Sequence, residues 1–125
     1  MSSPPGESTQ KFNILLDLGY SIAKTDELCY SVQFFEKAFA MVHYAPDTSR
    51  KAELYTNLAH CYLEELIDTF DFEKKQMLGY QALSFAGIAR DCYFHIDDKK
   101  RLHSAKELED EIKSEMNDFG EVEGF

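Results

Sequence analysis

"YTNLAHCY", residues 55–62, puts an amide, an imidazole, a thiol and two phenols within eight positions. Such a stretch is either a reactive cluster or a helix whose faces differ. Helical periodicity sorts it. Tyr55, Leu58, Ala59 and Tyr62 fall at i, i+3, i+4 and i+7, one packing face, while Thr56, Asn57 and His60 fall on another. Leu54, Leu66 and Ile67 extend the apolar stripe, which predicts a helix over about residues 50–70. Forty residues earlier the pattern recurs: Leu15, Leu18, Gly19 and Ile22 stand where Tyr55, Leu58, Ala59 and Tyr62 stand later. With Ile14 they form the expected core stripe of a first helix over residues 9–24. In both helices a tiny residue sits among bulky ones, as a close helix–helix approach requires.

Outward from this pair the rest of the chain also reads as helix. A second helix is expected over 26–44, with Val32, Phe35, Ala38, Phe39 and Val42 on one side. "APDTS" (45–49) is a loop, because Pro46 disfavours helix at Ala45 and Asp47, Thr48 and Ser49 are cap residues. Asp71 is a candidate N-cap for a fourth helix over 73–95. That helix contains "MLGYQALSFAGIA", and an all-round apolar helix is expected to be buried on most sides. Gly79 and Gly87 in it read as close-packing points. Asp97 and Asp98 open a fifth helix to about Asn117, with Leu102, Ala105, Leu108, Ile112 and Met116 as its stripe. No segment alternates like a strand, and short linkers make successive helices antiparallel neighbours. The expected fold is all-α, about five helices in antiparallel hairpins. It forms one domain over 9–117, between an unstructured segment (1–8) and an acidic tail (118–125).

The 125 residues carry 13 basic and 23 acidic side chains, a net charge of -10. Such a chain would be repelled by a phosphate backbone or an anionic membrane surface, so neither nucleic acid nor membrane is an expected partner. The charge is uneven: from Glu107 to Phe125 there are eight acids and one base, Lys113. Cys29, Cys61 and Cys92 are odd in number and widely spaced, which reads as free thiols in a reducing compartment. No apolar run reaches the roughly 18 residues of a membrane span. "MSSPPGEST" lacks the basic and apolar regions of a signal peptide. A cytoplasmic or nuclear location is the expectation.

The forty-residue pattern resembles the tetratricopeptide repeat (TPR), whose first helix follows W-x2-L-G-x2-Y with A-x3-F in the second. Ser31, Phe35 and Ala38 follow Gly19 at the family's spacing. Pro46 comes about three residues late. In the second repeat the counterparts Gly79, Leu83 and Ala86 come about eight residues late, so its helices must be longer or its connection unusual. The resemblance implies two repeats plus a C-terminal capping helix, and a binding module in which the first helix of each repeat lines a groove. Carried over by position, groove candidates in the first helix are Asn13, Leu16, Asp17, Tyr20 and Lys24. In the third they are Glu53, Thr56, Asn57, His60 and Glu64. The implied partner is a peptide or helix of another protein, held by an adaptor or assembly subunit. A small acidic chaperone of the bacterial secretion type is the alternative. The carboxylate clamp of one TPR subclass is mostly missing: Asn57 matches it, but Leu16 and Tyr20 stand where a lysine and an asparagine belong. An exposed Tyr30 and Phe34 on the aromatic second helix would suit a partner contact or a homodimer seam.

Sharper chemistry is less well supported. His60-Cys61 and Cys92-x2-His95 offer the right number of zinc ligands. But adjacent helical residues point about 100° apart, so His60 and Cys61 cannot easily share an ion. The same residues could serve cysteine–histidine catalysis, yet no oxyanion-forming turn accompanies them. No metal, cofactor or enzymatic activity is expected.

Overall fold

The computed structural model describes residues 5–25 and 28–123. Its described residues form five α-helices with no strand: α1 (Pro5–Ala23), α2 (Leu28–Phe39), α3 (Thr48–Ile67), α4 (Phe72–His95) and α5 (Lys99–Glu123), with a 3-10 turn at Val42–Tyr44. None of them is long and apolar enough to cross a membrane. Residues 1–4 of the expected unstructured segment and 124–125 of the expected tail lie outside the described residues.

Local chemistry sets the helix ends. α1 starts at Pro5, earlier than the sequence suggested, and proline's missing N–H is harmless in a first turn. α2 stops at Phe39 rather than Tyr44. There the backbone tightens, with the Met41 N–H donating to the Ala38 carbonyl, and the approach to Pro46 then favours a 3-10 turn over α-helix. The Thr9 hydroxyl donates to the Tyr44 carbonyl at 2.9 Å and ties that turn to α1. Asp47 caps α3 by accepting from the Arg50 N–H at 2.8 Å, and Asp71 caps α4 by accepting from the Glu73 N–H at 3.1 Å. Between α4 and α5, Asp97 takes φ 58°, a left-handed conformation that aspartate tolerates, and Asp98 then caps α5 through the Arg101 N–H. α5 runs to Glu123, past the expected end at Asn117.

Packing makes antiparallel neighbours of α1 and α2, α3 and α4, and α4 and α5. Near one end of α4, Gln76 donates to the Met116 carbonyl of α5; near the other, Arg90 donates to Glu109 at 2.9 Å. Phe12, Leu16, Phe35, Ala38, Leu54 and Leu58 form the core between α1, α2 and α3. Leu63, Leu66, Leu78, Ala82, Leu108 and Ile112 form the core between α3, α4 and α5. Phe85 joins them, stacked on Tyr62 at 5.6 Å and edge-on to Phe39. α3 is therefore central, with apolar groups buried on two sides.

Several expectations about faces fail. Phe39 and Ile67, expected on apolar packing stripes, are 41% and 42% exposed. The buried face of α1 is Phe12, Leu16 and Gly19, not Ile14 and Leu18, which are 58% and 43% exposed. Among the described residues α1 is packed on one side, which leaves Ile14 and Leu18 in solvent. α4 is not buried on most sides: Met77, Tyr80 and Phe94 are exposed, because α3 and α5 cover only the Leu78–Ala82–Ala86 face. Gly87 is not a close-packing point, since a Cβ there would meet nothing nearer than Glu109 at 3.7 Å. Gly79 and Gly19 are: a Cβ would collide with Met116 at the first and with the Phe35 ring, at 2.6 Å, at the second.

Candidate functional site

The α1–α3 seam opens into a trough. Its main hollow, about 440 Å³, is walled by Leu16, Asp17 and Tyr20 of α1 and by Glu53, Thr56 and Asn57 of α3. Tyr93 of α4 and Arg101 of α5 close one end. A second hollow of about 370 Å³ continues along α3 past Asn57 to Glu64, with Tyr20, Lys24 and Glu111 on its rim. A third, smaller one runs toward α5. His60 lines all three. From Arg50 to Glu64 the trough follows α3 for about 21 Å at 1.5 Å per residue.

The residues singled out from the sequence are brought together here, with one exception in kind. Leu16 is 2% exposed, so it belongs to the core and shows the hollow only its edge. Asn13 sits at the seam through its bond from Arg50. Lys24 stands 4.6 Å over the Tyr20 ring, a cation–π pair on the rim.

Arg50, which the sequence reading missed, organises one end. Its guanidinium donates to Asn13 at 3.1 Å, to Asp17 at 2.9 Å and to Glu53 at 3.0 Å, bridging α1 and α3. Burial opposes its charge, but the bonds to Asp17 and Glu53 outweigh that and raise its pKa. Two carboxylates of the trough are thus already neutralised from within. The available signal was an arginine three residues before a glutamate in a capped first turn; its reach to α1 needed the tertiary fold. Arg101, in the first turn of α5, and Tyr93, near the end of α4, carried no signal for the same reason.

Two polar side chains of the floor bond to their own helix. Asn57 donates its Nδ2 to the Glu53 carbonyl at 2.7 Å, and Thr56 donates its hydroxyl to the Ala52 carbonyl at 2.8 Å. That leaves the Asn57 Oδ1 for an N–H from a bound chain, whereas the Thr56 hydroxyl is also engaged by the Tyr93 phenol. Burial lowers the His60 pKa below the ordinary histidine value, partly offset by Glu111 and Glu64. His60 is still exposed to solvent, while the walls of the adjoining hollows crowd it. The imidazole is therefore neutral near pH 7, with one donor and one acceptor.

Cys61 does not share this site. It is buried on the α2 side of α3, its Sγ 3.8 Å from the Ser31 hydroxyl, and burial pushes its pKa up to about 11. The thiol stays protonated. Tyr62 also turns away, donating its phenol to Glu36 at 3.1 Å. Among the described residues no group of three or more His, Cys, Asp or Glu side chains could hold a metal ion. On α2, Tyr30 is exposed, while Phe34 is half-buried with the Lys37 ammonium 5.8 Å over its ring.

The chain matches no protein-family model, no curated protein and no solved structure.

Proposed function

We propose that this protein is a non-catalytic protein–protein interaction module, an adaptor or assembly subunit of the cytoplasm or nucleus, whose α1–α3 trough holds a peptide or helix of a partner. The carrying observation is the position of His60 and Asn57 at the meeting of adjoining hollows walled by α1, α3 and α5. Those are the helices that would open each unit if the chain is two TPR-like repeats with a C-terminal cap. A wall length of about 21 Å suits about six residues of extended chain at 3.4 Å each, or four turns of helix. The Asn57 amide oxygen and a neutral imidazole suit backbone recognition better than anion capture, since the charge of Arg50 is already offset by Asp17 and Glu53.

The test is affinity capture from the native source followed by mass spectrometry, comparing the natural chain with Asn57→Ala/His60→Ala. The double variant is expected to lose the specific partner while melting normally. Retention of every partner by a folded double variant would refute the reading. The exposed apolar surface of α4, with Met77, Tyr80 and Phe94, favours a second reading, a small acidic chaperone holding a client. A partner that aggregates when this protein is withheld would favour that reading.

A further inference from the structure

The outer face of α1 is incomplete in a way the molecule itself defines. At an offset of forty residues, Ile14, Leu18 and Ser21 of α1 correspond to Leu54, Leu58 and Cys61 of α3. Burial agrees with the correspondence on the core side, where Phe12 and Ala52 are both fully buried, and Gly19 and Ala59 are both buried. On the outer side the two helices part. Leu54 and Leu58 are 0% and 1% exposed because the α1–α2 hairpin covers them, with Phe35 and Ala38 of α2 in the same cluster and Ser31 against Cys61. Among the described residues nothing covers Ile14 and Leu18 in the same manner.

We propose that this free face of α1 docks an amphipathic helix of another protein, one that carries a small–large–small stripe like Ser31, Phe35 and Ala38 of α2. The occupant of the equivalent face on α3 specifies that chemistry. Charge favours a different protein over a second copy. Two chains of net charge -10 repel, whereas this face is locally neutral, with Glu7 and Lys11 one turn apart and Ile14, Leu18, Ser21 and Ile22 uncharged. Asp17, paired with Arg50, borders this face and Tyr20 lies further round the helix, while Asn57 and His60 of the trough are on α3 and take no part in it.

A helical probe of defined sequence tests it. A peptide of residues 28–40 would be stapled between Gln33 and Lys37, which are exposed in the fold and four residues apart. It would be titrated to millimolar concentration into the full, methyl-labelled chain while the Ile14 and Leu18 signals are followed. Expected are saturable shifts at Ile14 and Leu18, at least tenfold weaker binding for Ile14→Asp/Leu18→Asp at unchanged melting temperature, and loss of binding when the probe carries Phe35→Ala. Because Asn57→Ala/His60→Ala leaves this face intact, it should bind the probe normally, which separates failure here from failure of the trough. No shift at millimolar probe would overturn the proposal. So would shifts confined to the trough, or shifts at Leu54 and Leu58 from displacement of the native α2. A probe-independent doubling of mass that broadens Ile14 and Leu18 would assign the face to a second copy and overturn it equally.

Discussion

α1 and α3 carry the same four-residue pattern, yet the same pattern does different things in them. In α3 every motif side chain is enclosed or stacked, because hairpins lie on both sides: Leu58 packs toward α2 and Tyr55 toward α4. In α1, among the described residues, neighbours lie on one side, so Leu18 is left in solvent while Phe12 and Leu16, outside the motif, fill the core. A hydrophobic period therefore says that a helix has an apolar face. Which apolar residues are buried depends on how many neighbours the helix has.

Paired substitutions can break that comparison. Leu58→Ala should destabilise by about 2–5 kcal/mol, the cost of a cavity in a closed core, while Leu18→Ala should stay within about 1 kcal/mol, as for an exposed site. Chemical denaturation of both variants decides it; equal losses would mean that α1 is covered after all. The tiny residues come next. Gly19→Ala should cost about 1–2 kcal/mol, because overpacking against the Phe35 ring outweighs the gain in helix propensity. Gly87→Ala, where a Cβ would make only an ordinary contact with Glu109, should be neutral or stabilising in the same assay.

The seam between the two helices offers a smaller effect. Arg50→Ala removes bonds to Asn13, Asp17 and Glu53 at a partly exposed site, and about 1 kcal/mol is expected, falling with added salt. The smallest effect is the pH response of His60. Its folded pKa is lowered, so the unfolded chain binds the proton more readily, and His60 subtracts stability as pH falls from about 6.5 through its folded pKa. Glu64 on its own helix and Glu111 on α5 work against this, and Lys24 on α1 stands nearby. His60→Gln should flatten the pH dependence of melting in that window and leave it unchanged above.

Much of this architecture can be read from the chain. Helix content, the Asp47 and Asp71 caps, the loop at Pro46 and the fate of Cys61 follow from local chemistry that travels with the residue. So does the sorting of "YTNLAHCY": Leu58, Ala59 and Tyr55 go to the interior, and Thr56, Asn57 and His60 to the trough. What escaped was whatever depends on a neighbour's position. Arg50 reaches across to α1, Arg101 arrives from α5, and α4 leaves Met77 and Tyr80 uncovered because, among the described residues, α3 and α5 pack only on its other face. The end of α2 escaped for a different reason, a change from α to 3-10 geometry within two residues.

Two tyrosines let the central claim be tested on opposite surfaces. Tyr20 stands on the rim of the trough and Tyr80 on the outer face of α4, and both are at least half exposed. Each would be replaced in turn by the photo-crosslinker benzoylphenylalanine in the full chain, irradiated in the native source, and the adducts identified by mass spectrometry. The account predicts a specific protein adduct at position 20 that Asn57→Ala/His60→Ala abolishes, and none of that partner at position 80. Capture of the partner at position 80 alone, or at position 20 regardless of Asn57 and His60, would contradict it.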